Sequence, residues 1–196
     1  MAAKVPDRRV RRTRNLLQDA LMEIMLTKGY DDVTVQDIVD RANVGRSTFY
    51  AHFTDKQQLL TSGIEQLRES LARQEGVLEG PSAGLLGFSL PMFQHVADNY
   101  RLYRALVVKG GSALVEELAR DMLTGLVRDE LAVLVPPGAP LPVPLEVVVQ
   151  YTVSSFLALQ TWWLDQKMPC PAGEVDRMFR DLTIPGIMAL GIAPQS

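Results

Sequence analysis

Ala42-Asn43-Val44-Gly45-Arg46-Ser47-Thr48-Phe49-Tyr50-Ala51-His52-Phe53, followed at once by Thr54-Asp55-Lys56, is the stretch whose reading decides the fold. Asn43 suits a tight turn, because its short polar side chain tolerates left-handed backbone. Val44 is placed to plug that turn from inside. From about Gly45 to about His52 the spacing predicts a short helix. Phe49 and Phe53, four residues apart, share its inner face. Arg46, Ser47, Thr48 and Tyr50 are left on the outer face. A turn followed by a helix that is apolar on one side and polar on the other suits a helix-turn-helix, whose second helix enters the DNA major groove. A small helical subdomain with an ordinary polar face would look the same over these residues alone. The parts that precede the stretch separate the two readings.

Leu16, Leu17, Ala20, Leu21, Ile24 and Met25 recur at helical spacing and define one apolar face. Lys28-Gly29 ends that helix, with a cation for the last carbonyls and then a glycine able to turn left-handed. Thr34 reads as an N-cap, with Val33 before it and Asp37 three residues on, a variant of the capping box. Val35, Ile38, Val39 and Ala42 form the buried face of the second helix. Asp55 caps the helix that follows the third. The order of parts is that of a three-helix DNA-binding unit.

The outer face carries chemistry suited to DNA. Arg46 can donate two hydrogen bonds to guanine O6 and N7. Ser47 and Thr48 are short, so the helix can approach the groove and bond a base edge or a phosphate. Tyr50, His52 and Lys56 can reach phosphate oxygens. Residues 1–14 hold Lys4, Arg8, Arg9, Arg11, Arg12 and Arg14 against Asp7, a net +5, which leaves −8 on the remainder of a chain whose total is −3. A basic arm on an acidic body suits local phosphate contact rather than a broad basic surface, and makes Arg12 and Arg14 further candidates. A solvated tail is the plain alternative.

Thr34 to Leu60 resembles the DNA-binding domain of the TetR family of bacterial transcriptional regulators. Ala42, Val44, Thr48, Phe49, Tyr50, His52, Phe53, Lys56, Leu59 and Leu60 fall in register with the family pattern, over about residues 10–62. Gly45 stands where the family often has serine, and glycine is also an acceptable N-cap. The resemblance implies base contacts from Arg46 and Ser47, and phosphate contacts from Thr48, Tyr50, His52 and Lys56. It also implies backbone or groove-edge contacts from Thr34 and Gln36. An all-α fold is expected: a basic arm (1–14), a helix-turn-helix domain (15–54) and a helical ligand-binding and dimerisation domain (55–196).

The composition is that of a globular protein, 47% hydrophobic and 22% charged, which argues against disorder. A single cysteine, Cys170, rules out an intramolecular disulfide and a multi-cysteine zinc site, and suits the reducing cytoplasm. His95 stands alone, so no metal site is expected. The chain has no Walker loop, dinucleotide fingerprint or nucleophile elbow, so neither an enzyme nor a cofactor is expected.

Beyond Leu60 the pattern is more generic. A helix is expected from about Asp55 to Gln74, then a loose Gly76–Gly87 connection. Helices follow over Leu85–Ala97, with Pro91 as start or kink, over Tyr100–Val108, and from Ser112 as cap to about Val135. Pro136 to Pro144 is a loop. Val147 to Leu164 has no charged residue, yet Gln150, Thr152, Ser154, Ser155, Gln160 and Thr161 interrupt it, which argues against a membrane span. It shows two stripes: Val147, Tyr151, Ser154, Ala158, Trp162, and Val148, Thr152, Phe156, Leu159, Trp163. A helix apolar on more than one face is buried on more than one face. A last helix starts near Gly173, with Pro185-Gly186 to kink or end it. The expected dimer interface is Val148, Thr152, Leu159, Trp163, Val175, Met178, Phe179 and Leu182, forming a four-helix bundle between subunits, as the resemblance also implies. Phe88, Met92, Phe93, Tyr103, Met122, Phe156 and Trp162 are candidate walls of an apolar ligand pocket, or ordinary core. A two-fold dimer reads a palindrome with half-sites about 34–36 Å apart, and a ligand that changes that spacing releases the DNA. Expected partners are therefore palindromic double-stranded DNA, a second copy and an apolar small molecule. A repressor fits best. An activator, or a DNA-organising or protein-recruiting factor, would use the same features.

Overall fold

The computed structural model describes residues 8–73, 85–108, 112–135 and 140–192, and over these the chain is all-helical. The helices are α1 (Arg8–Lys28), α2 (Val35–Arg41), α3 (Arg46–Tyr50), α4 (Lys56–Arg73), α5 (Ser89–Asp98), α6 (Tyr100–Val108), α7 (Ala113–Leu134), α8 (Leu145–Asp165) and α9 (Ala172–Ala189). None of them is long and apolar enough to cross a membrane.

Helices α1 to α3 form an N-terminal head. Its core is Leu17, Ala20, Leu21, Met25, Tyr30, Val33, Ile38, Val39, Phe49 and Phe53. Gly29, at φ +76°, stops α1, as a left-handed residue without a Cβ does at no steric cost. Leu59 of α4 and Val115 of α7 complete the same core, and Leu102, Leu106 and Leu114 pack against it. Side chains of α4, α6 and α7 thus help to close the head's core. Ser112 is the N-cap of α7, as expected, but its side chain makes no capping bond; its hydroxyl donates to the Asp31 carboxylate at 2.8 Å, a second tie between the two parts.

The body packs α7 against α4 and α8, and α9 against α5 and α8. Phe88, Phe93, Phe156 and Phe179 stack at its centre, with Phe93 and Phe156 ring centroids 4.6 Å apart. The Trp163 indole meets Phe93 edge-on and donates to the Cys170 carbonyl at 2.9 Å, which fixes the α8–α9 turn. One expectation about proline is met and another needs correction. Pro91 sits in the first turn of α5, where its missing N–H costs nothing. Pro185 does not end α9, which runs on to Ala189. Pro185 is exposed while Ile184 and Ile187 are buried, so water can meet the carbonyl that loses its partner and the flanking contacts hold the helix.

Candidate nucleic-acid interface

The turn and α3 are built by local hydrogen bonds. Asn43 takes φ +52°, and Val44 N–H reaches back to the Val39 carbonyl at 3.0 Å. Gly45 is the N-cap of α3, its carbonyl accepting from Thr48 and Phe49 N–H. Phe49 and Phe53 are buried and stack at 6.0 Å, which fixes which side of α3 faces outward. Arg46, Ser47 and Tyr50 are exposed on that outward side, with Thr48 and His52 partly buried beside them. His52 lies in the turn that follows α3.

The Arg46 guanidinium is not loose. Its Nε donates to Gln36 Oε1 at 2.6 Å, and Gln36 Nε2 donates to Asp40 Oδ1 at 2.6 Å. This chain of bonds presents the far end of the guanidinium outward, with its two terminal nitrogens available for a base edge. Gln36 is a positioning residue for Arg46, a role the sequence pattern did not give it.

Three other candidates are engaged within the protein. The Lys56 ammonium donates to the carbonyls of Tyr30, Asp31 and Val33 at 3.0, 2.9 and 2.8 Å, and lies 4.6 Å from the Tyr30 ring centroid. All three of its donors are used, so it pins the start of α4 to the α1–α2 loop. Arg14 donates to Ser62 Oγ at 2.6 Å and covers the Phe53 ring, tying α1 to α4. The Thr34 hydroxyl is part of a complete capping box: it accepts from Asp37 N–H while the Asp37 carboxylate accepts from Thr34 N–H at 2.9 Å. Bonds from Lys28 and Thr34 hold the Asp37 pKa at about 2. Residues 1–7 of the expected arm lie outside the described residues. Arg8 to Arg14 are not an arm but the first turns of α1, with Arg12 exposed.

Residues 17–62 match the family model described as bacterial regulatory proteins, tetR family. The N-terminal domain is a TetR-family helix-turn-helix. It is 41% identical over 61 residues to an uncharacterised HTH-type transcriptional regulator, YxbF, of Bacillus subtilis; the match covers 31% of this chain and 16% of that protein. It is 33% identical over 63 residues to the HTH-type transcriptional regulator TcmR of Streptomyces glaucescens, covering 32% of this chain and 28% of that one. The match thus spans under a third of either relative's length. Whole-chain likeness is seen in structures. A TetR-family regulator from Syntrophomonas wolfei superposes with a TM-score of 0.72 at 18% identity, covering 95% of this chain and 99% of that one. A TetR regulator from Streptococcus agalactiae gives 0.65 at 24%, covering 90% and 96%. These superpositions show that the fold is shared over the body as well.

In the body the structure redistributes the expected sites. Phe88, Phe93 and Phe156 are core, packed on one another with no space between them for a ligand the size of a ring. Trp162 is not a pocket wall, for it points out of α8 and is 43% exposed. Met92, Tyr103 and Met122 do line a cavity of about 450 Å³ where α1, α4, α5, α6 and α7 meet. The expected dimer stripe also divides. Val148, Thr152, Trp163, Val175 and Phe179 are buried in the subunit's own core, and Leu159 is partly buried. Met178 and Leu182 are exposed, and beside them α8 exposes the other stripe, with Val147 54% and Tyr151 61% accessible. Helical period reveals two stripes but not which one the chain itself covers.

Proposed function

We propose that this chain is a dimeric transcriptional repressor that binds a palindromic DNA operator in the cytoplasm and is released by an apolar small molecule. The observation that carries the DNA half is the buried Phe49–Phe53 pair, which turns Arg46, Ser47 and Tyr50 outward on a helix of groove-reading type. Arg46, held by Gln36, reads a base edge. Ser47 supports it, while Thr48, Tyr50, His52 and Arg12 meet the backbone. What supports dimerisation is the exposed apolar face of Val147, Tyr151 and Trp162 on α8 with Met178, Leu182 and Met188 on α9. Large side chains gathered on one face of two adjacent helices mark an interaction surface, and two copies paired there form a four-helix bundle. Two-fold pairing matches a palindrome, since each short helix covers only a few base pairs.

Selection of bound DNA from a random pool at two salt concentrations, with Tyr50→Ala in parallel, tests this reading. Enrichment of a palindrome by the wild type and its loss in the variant supports it. Salt-sensitive binding without a motif, equal in both proteins, refutes it.

A further inference from the structure

The hydrogen bonds that link Arg46, Gln36 and Asp40 have their polarity fixed at both ends. Arg46 Nε can only donate, and it meets Gln36 Oε1 at 2.6 Å. The Asp40 carboxylate can only accept, and its Oδ1 takes the bond from Gln36 Nε2 at 2.6 Å. Turning the Gln36 amide over would set donor against donor at one end and acceptor against acceptor at the other. Asp40 thus decides how the amide lies, from one turn further along α2. The other charged groups of α2 are engaged elsewhere: Asp37 pairs with Lys28, and Arg41 with Glu23.

This arrangement limits what each side chain can read. A free glutamine recognises adenine with its oxygen and nitrogen side by side in the plane of the base, one to N6 and one to N7. An amide held at both of those atoms by protein partners takes its plane from them. Each of the two bonds has an ionised partner, and such bonds are about twice as strong as the neutral ones adenine offers. All three side chains are exposed in the free protein, and their bonds gain strength where a groove excludes water. Arg46 is narrowed too. With Nε taken, its two terminal nitrogens remain for guanine O6 and N7. The carboxylate has a general cost, because phosphates repel it whatever the sequence. Such a cost can serve selectivity when it works against the wrong partner.

We propose that Asp40 is a specificity-determining residue that touches no base. It withholds Gln36 from adenine and commits it to Arg46, so that each half-site carries a selected guanine opposite Arg46 and no selected adenine opposite Gln36. This inference rests on the DNA-binding reading above and deepens it.

The test is selection of bound DNA from a random pool by the wild type, Asp40→Ala, Asp40→Glu, and Asp40→Ala combined with Gln36→Leu. Asp40→Ala is expected to fold, because alanine favours a helix and the lost carboxylate lies near the C-terminal end of α2. It should enrich an adenine at a second position of each half-site by about fivefold or more, and weaken the preference for guanine several-fold. The double variant should lose that adenine. Asp40→Glu keeps an acceptor four residues after Gln36 and should keep the wild-type motif. A motif unchanged in Asp40→Ala overturns the proposal, and so does an adenine that persists without Gln36. An unchanged motif with higher affinity for every sequence is the result for a carboxylate that only repels phosphate. No motif from the wild type overturns the DNA-binding reading and this inference with it. A wild-type motif that Asp40→Ala leaves intact overturns the role of Asp40 alone.

Discussion

The reading head and the body settle their polar groups differently. In and around the head the polar groups are paired: Thr34 with Asp37, Lys28 with Asp37, Gln36 with Arg46, and Lys56 of α4 with three carbonyls of the α1–α2 loop. In the body, Thr124 Oγ1, Thr152 Oγ1 and Gln160 Oε1 are buried without a hydrogen-bond partner among the described residues. The body also leaves a cavity open at its junction with the head and an apolar face uncovered on α8 and α9. A part whose polar groups are already paired holds its shape before its target arrives, which lowers the entropy lost on binding. On the proposed reading, recognition falls to the head, and assembly and response to the body.

Truncating the two cores gives the largest effects. Phe156→Ala and Phe49→Ala should each cost about 3–5 kcal/mol in denaturant unfolding, since both rings are fully buried. If Phe49→Ala cost under about 1 kcal/mol, the head would be looser than its bonds suggest. The exposed face comes next. Leu182→Glu combined with Tyr151→Glu should shift sedimentation from dimer to monomer, at about 2 kcal/mol or more for a central contact. A dimer that survives both would place the interface elsewhere.

Lys56 sharpens the contrast, because it separates a structural cation from a DNA-binding one. Lys56→Met should cost about 1–3 kcal/mol of stability, leaving the slope of DNA affinity against salt unchanged. Arg12→Ala should make that slope shallower by about one, as loss of a phosphate contact does. A shallower slope for Lys56→Met would mean that its ammonium leaves the loop carbonyls for a phosphate.

The smallest effect is at the cap. Thr34→Ala should cost about 1 kcal/mol. The Asp37 carboxyl has a lower pKa folded than unfolded, so its contribution is whole above 3.8 and is lost as pH falls through about 2. The difference between wild type and Thr34→Ala in acid unfolding should therefore narrow over that range.

These residues also mark what the sequence makes legible. The capping box, the Gly29 stop, the Asn43 turn and the inward Phe49–Phe53 pair each depend on neighbours within a few positions, so residue type and spacing specify them. The engagement of Lys56 and Arg14 was hidden, because their partners lie across a loop or on another helix, and a cation near a helix-turn-helix looks like a phosphate contact until its donors are traced. In α8 the two stripes were visible, but the side that faces α7 and α9 depends on how separate helices pack. The stripe led by Val148 went inward, and the one led by Val147 stayed out. Of the junction cavity's walls the sequence flagged only Met92, Tyr103 and Met122, since the walls come from five helices.

The central claim is that α3 reads base edges through Arg46 in a two-fold pair. The most direct test is to repeat the random-pool DNA selection with Arg46→Ala beside the wild type. The account predicts the same palindrome with the same half-site spacing, degenerate at the one position per half-site where Arg46 prefers guanine, and an affinity for the wild-type site lower by about 1–3 kcal/mol. An unchanged motif with unchanged affinity would contradict it and move base reading away from Arg46.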